Sequence, residues 1–199
     1  MTVASVFGYN DIVDGSLDLA RDIYKPTEWM GGISSYDIWW LITNYQWDIY
    51  TGERASLDEQ EVYATKVLGN LLKYIGEDGY EKLPGRFLDW PSSENQEGVS
   101  SGLQALLAMG FDCGAAVEKL WGNEEMARKC SDASALLKAH PRDFNASKQA
   151  AALNVLAGMA DAREAAQSTI LPGGAKGFST FYGYYMLEAL AKAGEYEKA

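Results

Sequence analysis

Tyr36-Asp-Ile-Trp-Trp-Leu-Ile-Thr-Asn-Tyr-Gln-Trp-Asp-Ile-Tyr50 is the stretch that decides what kind of fold this chain can adopt. Read as a helix, it carries apolar or aromatic residues nearly all round: Ile38, Trp39, Trp40, Leu41, Ile42, Tyr45, Trp47 and Ile49. A helix with no wet face must be buried on every side. Thr51-Gly52 ends it, because glycine readily takes the left-handed conformation of a helix C-terminus. Just ahead stands Gly32-Ile33-Ser34-Ser35. The same order of residues recurs at Gly98-Val99-Ser100-Ser101, Asn145-Ala146-Ser147-Lys148 and Gly177-Phe178-Ser179-Thr180. Each opens an apolar helical pattern, over 99–120, 146–160 and 178–193. Serine is a natural N-cap, so these four openings predict four capped, buried helices.

One-sided helices alternate with them. Residues 10–24 carry Ile12, Val13, Leu17, Leu19, Ala20 and Ile23 on roughly one face, and Pro26 stops the run. Ser56-Leu57-Asp58-Glu59 reads as a capping box ahead of a helix to Ile75, one-sided in Val62, Val67, Leu68, Leu71 and Leu72. An amphipathic helix follows from Asn123 through Leu137, and a short polar one over 161–169. No period-two alternation appears, so strands should be absent or trivial. Inner helices alternating with outer ones predict an all-α ring or stack of helical hairpins. The four serines, at 34, 100, 147 and 179, are 66, 47 and 32 residues apart. That irregularity argues against an even solenoid and for a partial α/α toroid. In a toroid the inner-helix N-termini share one rim, where 86–98 and the Gly173–Gly177 loop would meet among positive dipole ends.

A chain of 199 residues suits a single domain, 1–199, or a piece of a larger one. Its net charge of −11 argues against a nucleic-acid surface or an anionic membrane. Cys113 and Cys130 are too few for a disulfide framework or a metal site, and read as buried free thiols. His140, before Pro141, reads as a cation capping a helix C-terminus. The first residues lack a charged leader with a long apolar core, and no run reaches 18 apolar residues; a cytoplasmic protein is expected. Neither a cofactor nor a metal is expected. The 12% aromatic content calls for an explanation, either carbohydrate binding or bulky helix-to-helix packing.

The long connection between two helical patterns contains Arg86-Phe-Leu-Asp89-Trp90-Pro91-Ser92-Ser93-Glu94-Asn-Gln-Glu97-Gly98. Arg and carboxylates hydrogen-bond hydroxyls, and an indole face packs on the C–H face of a sugar ring. The other reading is a structural corner, with Arg86 paired to Asp89 and Trp90 plugging a helix end. The composition leaves both open.

Three blocks are similar to the catalytic domain of bacterial α-L-rhamnosidases. They are Trp29-Met30-Gly31-Gly32-Ile33-Ser34-Ser35-Tyr36 with Trp39-Trp40, Leu83-Pro84-Gly85-Arg86-Phe87-Leu88-Asp89-Trp90-Pro91-Ser92-Ser93, and Gly174-Ala175-Lys176-Gly177-Phe178-Ser179-Thr180-Phe181-Tyr182-Gly183-Tyr184-Tyr185. The resemblance spans essentially the whole chain. It implies part of an (α/α)6 barrel of an inverting glycoside hydrolase, with four of six inner helices present. It also implies that the blocks carrying the general acid and the general base would lie before Met1 and after Ala199. Arg86, Asp89, Trp90 and Glu94 are then expected to bind the sugar, a terminal 6-deoxyhexose. Trp29, Phe178 and Tyr182 would wall off its methyl group.

Inverting hydrolysis needs two carboxyl groups roughly 6.5–9.5 Å apart. Within the chain only Asp89 with Glu94 or Glu97 offers a local pair, and nothing in the sequence tunes one of them to stay protonated. Two other functions compete with sugar binding. One is a helical interaction module whose aromatic rim takes a protein; the other is an α/α enzyme acting on acidic or phosphorylated substrates, disfavoured by the few basic residues near the rim. Two missing hairpins would also leave open apolar flanks, so self-association, or disorder at 1–10 and 190–199, is expected.

Overall fold

A computed structural model describes residues 6–197. The first and last residues of the termini expected to be disordered, 1–5 and 198–199, lie outside that range; the final helix continues to Lys192. All regular secondary structure among the described residues is helical, apart from a single bridge between Ile75 and Glu81. In order run α1 (Asp11–Ile23), α2 (Ser34–Thr51), α3 (Arg54–Asp58), α4 (Glu61–Leu71), α5 (Gln96–Leu120) and α6 (Glu124–Lys138). Then come α7 (Lys148–Leu156), α8 (Ala162–Ala165), which runs on as a π turn to Ile170, and α9 (Thr180–Lys192). Among the described residues no helix is long and apolar enough to cross a membrane.

The four apolar helices form the core, but α2 is not buried on every side as expected: Tyr36, Ile49 and Tyr50 reach the surface, as do Phe181 and Leu187 of α9. Ile38, Leu103, Leu106, Leu107, Phe111, Leu153, Met186 and Ala189, drawn from α2, α5, α7 and α9, are fully enclosed. The spine is α5, against which α2, α6 and α7 lie, and α9 packs on α7. Small residues let these helices approach: a Cβ at Gly110 of α5 would stand 2.6 Å from Ile38 of α2. Rings join α9 to α2, with Trp39 4.5 Å from Tyr185 and 5.9 Å from Tyr182 between centroids. The outer helices dock by one face. The indole N–H groups of Trp40 and Trp47 donate to Leu17 O and Asp14 Oδ1 of α1, at 3.0 and 2.6 Å.

Several local expectations need correction. Ser147 and Ser179 do cap α7 and α9, accepting from the amides of Ala150 and Tyr182 at 3.2 and 3.0 Å. Ser34, however, is already inside α2, whose cap is Ile33 without a side-chain bond. Ser100 lies in the second turn of α5, because Asn95, whose side chain accepts from the Gly98 amide, starts that helix a turn earlier. The capping box at Ser56 does not form; its hydroxyl donates to Asp14 of α1 instead, and the chain breaks between α3 and α4. Finally, α1 has two apolar stripes rather than one. Leu17 is buried and Val13 and Ala20 pack on the core, but Ile12, Leu19 and Ile23 are 73%, 59% and 61% exposed.

The heads of the four buried helices lie together. Ser35 Oγ at the start of α2 donates to Phe87 O at 2.8 Å. Asn95, capping α5, exchanges two side-chain bonds with Asn145, just ahead of α7. Gln149 in the first turn of α7 donates to Gly177 O, ahead of α9, at 3.0 Å. Chain 84–95 threads among these four N-terminal ends. His140 Nδ1 lies 2.9 Å from Leu136 O at the end of α6, in the capping place expected of it. Cys130 is a buried free thiol as expected, whereas Cys113 is partly exposed.

Candidate functional site

The segment 81–92 is a rigid strap. Glu81 is buried, its amide donates to Gln104 Oε1 of α5 at 2.8 Å, and its carboxylate accepts from Leu83 N at 3.0 Å. Arg86 closes on that carboxylate with two bonds, at 2.9 and 2.8 Å, and reaches Ser100 Oγ at 2.8 Å. Arg86 therefore pairs with Glu81, not with Asp89, and its donors are largely engaged within the protein. At Gly85, φ is +56°, and a side chain there would strike the carbonyl of Gly32. Only glycine lets the strap lie against the turn that precedes α2.

Asp89 is buried with both carboxylate oxygens engaged. Oδ1 accepts from the Trp90 amide at 3.0 Å, which starts the tight 3₁₀ turn Trp90–Ser92. Oδ2 accepts from Gln149 Nε2 at 2.8 Å. Gln149 also holds Gly177 O, so one amide ties the aspartate strap to the glycine loop ahead of α9. The turn throws the Trp90 ring outward, 79% exposed, so it does not plug a helix end.

Beside this turn lies a cavity of about 360 Å³. Tyr36 and Trp39, one helical turn apart at the start of α2, form one wall, and Phe181 at the start of α9 forms another. Phe87 and Trp90, edge-to-face at 5.0 Å, supply the third, with Leu88 and Asp89 between them. Five of the seven lining residues are aromatic, and Asp89 is the one acid among them. Such a pocket offers flat apolar faces and a carboxylate edge, but no paired acid and base.

The structure thus brings Asp89 and Trp90 together at the cavity. The other residues singled out lie elsewhere. Trp29 stacks edge-on against Tyr74 at 5.1 Å, and Glu94 is exposed outside the cavity lining. Phe178 lies under the Lys148 ammonium at 5.1 Å. Tyr182 is buried behind Trp39, where desolvation, with Asp89 adding to it, holds its phenol well above the usual range. Glu97 faces a separate cavity with Tyr80 and Arg142. Sequence reasoning left out Tyr36, Trp39, Phe87 and Phe181 as site residues. The spacing of Tyr36 and Trp39 is the available signal, masked because large apolar residues stand nearly all round that helix. Among the described residues no cluster of His, Cys, Asp or Glu could hold a metal ion.

Comparison with family profiles, with curated proteins and with solved structures returned no match to this chain.

Proposed function

We propose that the cavity binds a terminal 6-deoxyhexose, and that the chain is part of a glycoside hydrolase domain of the α-L-rhamnosidase kind, a partial α/α toroid. The observation that carries the reading is the Trp90 indole, held out beside Tyr36 and Phe181, over a cavity whose single acid is Asp89. Aromatic faces take the C–H faces and the methyl group of a deoxy sugar, and a carboxylate orients hydroxyls. The gathering of four helix heads around the strap supports the same reading. The single acid supports a binding role for this segment, with the general acid and base of hydrolysis supplied from outside it.

Titration with L-rhamnose against L-mannose, which differs by one hydroxyl at C6, tests this through tryptophan fluorescence. L-rhamnose should perturb the signal and bind more tightly, and Trp90→Ala should weaken binding by about tenfold. Equal affinity for the two sugars, or binding untouched by Trp90→Ala, sinks the reading. Hydrolysis of an aryl α-L-rhamnoside that Asp89→Asn abolishes would overturn the purely binding role.

A second reading has its own observation. Ile12, Leu19 and Ile23 form a stripe along the outer side of α1, and such a stripe suits docking of a partner helix. Under that reading substitution of the stripe, and not of Trp90, removes the interaction.

A further inference from the structure

On the far side of the Trp90–Ser92 turn lies a second cavity, of about 280 Å³. Pro91 and Ser92 form its near wall, so the turn that carries Trp90 over the first cavity separates the two. Gln149 lines the second cavity while its amide holds the Asp89 carboxylate of the first. The second cavity has the opposite chemistry. In a chain of net charge −11 its lining contains Lys148 and Lys176, and no acid at all.

Lys148 is fixed in place. Its ammonium donates to Gly174 O at 2.6 Å and lies over the Phe178 ring. Burial lowers its pKa, and no carboxylate offsets the loss of water. A partly desolvated cation without a counter-charge gains most from an anion that arrives. The Ser147 hydroxyl oxygen accepts from the Ala150 amide, and the amides that open α7 have no partner inside the helix.

We propose that this cavity is a second sugar subsite selective for a uronic acid, its carboxylate taken by Lys148 and Lys176, next to the deoxyhexose in the aromatic cavity. The proposal rests on the sugar reading of the first cavity. A substrate spanning both would be an acidic oligosaccharide, with its neutral, apolar end against Trp90 and its charged unit across the Pro91–Ser92 ridge. The carboxylate draws hydrogen bonds from two ammonium groups, and the ring hydroxyls face Ser92 and Asn95.

The test is titration of the full chain with methyl β-D-glucuronide, methyl β-D-glucoside and inorganic phosphate, followed by backbone amide shifts and repeated at raised salt. The glucuronide should shift amides at 147–149 and 176–177 and bind about tenfold more tightly than the glucoside. Raised salt should narrow that preference, and Lys176→Ala should remove most of it. Lys176 is exposed on a loop, so its substitution tests binding without threatening the fold; Lys148→Ala serves as the second variant. Equal binding of glucuronide and glucoside overturns the proposal. So does phosphate binding as tightly as the glucuronide, which would mark a simple anion site, or full retention of the preference in both lysine variants. L-rhamnose is followed in parallel through Trp90. Failure of that arm alone sinks the deoxyhexose reading, while failure of the glucuronide arm alone sinks only the second subsite.

Discussion

Replacing Asp37 by Asn should stabilise the protein, and by an amount that grows with pH. Asp37 lies in the first turn of α2, beside Tyr36 of the cavity wall, and is 1% exposed. One carboxyl oxygen accepts from the Met30 amide at 3.1 Å, and the other has no partner. Burial raises its pKa to about 7 from an ordinary 3.8, with the Met30 amide pulling weakly the other way. The folded protein therefore keeps this proton over a range in which the unfolded chain has lost it. Stability from this group is intact below about pH 4, declines as pH rises, and is lost above about pH 7. A difference of that size is worth at most about 4 kcal/mol. Asn keeps a carbonyl oxygen for the Met30 amide and cannot ionise. Urea unfolding at pH 8 should show Asp37→Asn more stable than the parent by about 2–4 kcal/mol, the gap closing towards pH 5. Comparing the two proteins at each pH cancels the other titrating groups. A stability difference that is the same at both pH values, or a variant less stable at pH 8, refutes the reasoning.

Three further outcomes follow from the packing. Arg86→Met strips the counter-charge from Glu81, whose side chain is almost wholly enclosed, and should cost about 3 kcal/mol by urea unfolding. A change below about 1 kcal/mol would mean that the pair is solvated and does not pin the strap. Gly85→Ala places a methyl group against the Gly32 carbonyl at a left-handed φ. It should lower the unfolding free energy by about 2 kcal/mol or more and weaken ligand binding at Trp90, whereas a neutral substitution would show that strap and turn are not in contact. Phe181 and Leu187 of α9 leave large apolar surface exposed, and α1 exposes Ile12, Leu19 and Ile23. Light scattering should therefore report concentration-dependent association that Leu19→Lys or Leu187→Lys reduces; a monomer across the accessible concentrations counts against it.

The helices were legible because burial writes itself directly into periodicity. A stretch apolar nearly all round, such as Tyr36–Tyr50, has to bury most of its surface, and α2 does so from Asp37 to Ile42, while Tyr36, Ile49 and Tyr50 reach the surface. Where the reading slipped, two residues competed for one job. Asn95 and Ser100 can both cap, and the sequence does not rank them; the strap bonds that engage Ser100 do. The two stripes of α1 were merged because apolar residues at 12, 19 and 23 sit only about one position round the helix from those at 13, 17 and 20. Only the neighbouring helix says which stripe it covers.

The site was half legible for a related reason. Asp89 and Trp90 stood out as chemically unlike their surroundings, a property of the local sequence. Arg86 stood out equally, yet its partner Glu81 lies five residues back, in a stretch with no apparent task. A charge pair and a sugar contact look alike until the acid that engages the guanidinium is located. The opposite error hid Tyr36, Trp39 and Phe181. Trp39 packs against Tyr185 and Tyr182 where α9 meets α2, and also lines the cavity. The high aromatic content posed a choice between helix packing and carbohydrate binding, and at Trp39 the choice dissolves. The rings that join α2 to α9 are buried on one side and form the cavity wall on the other, so the packing of the helix heads itself makes the surface available to a ligand.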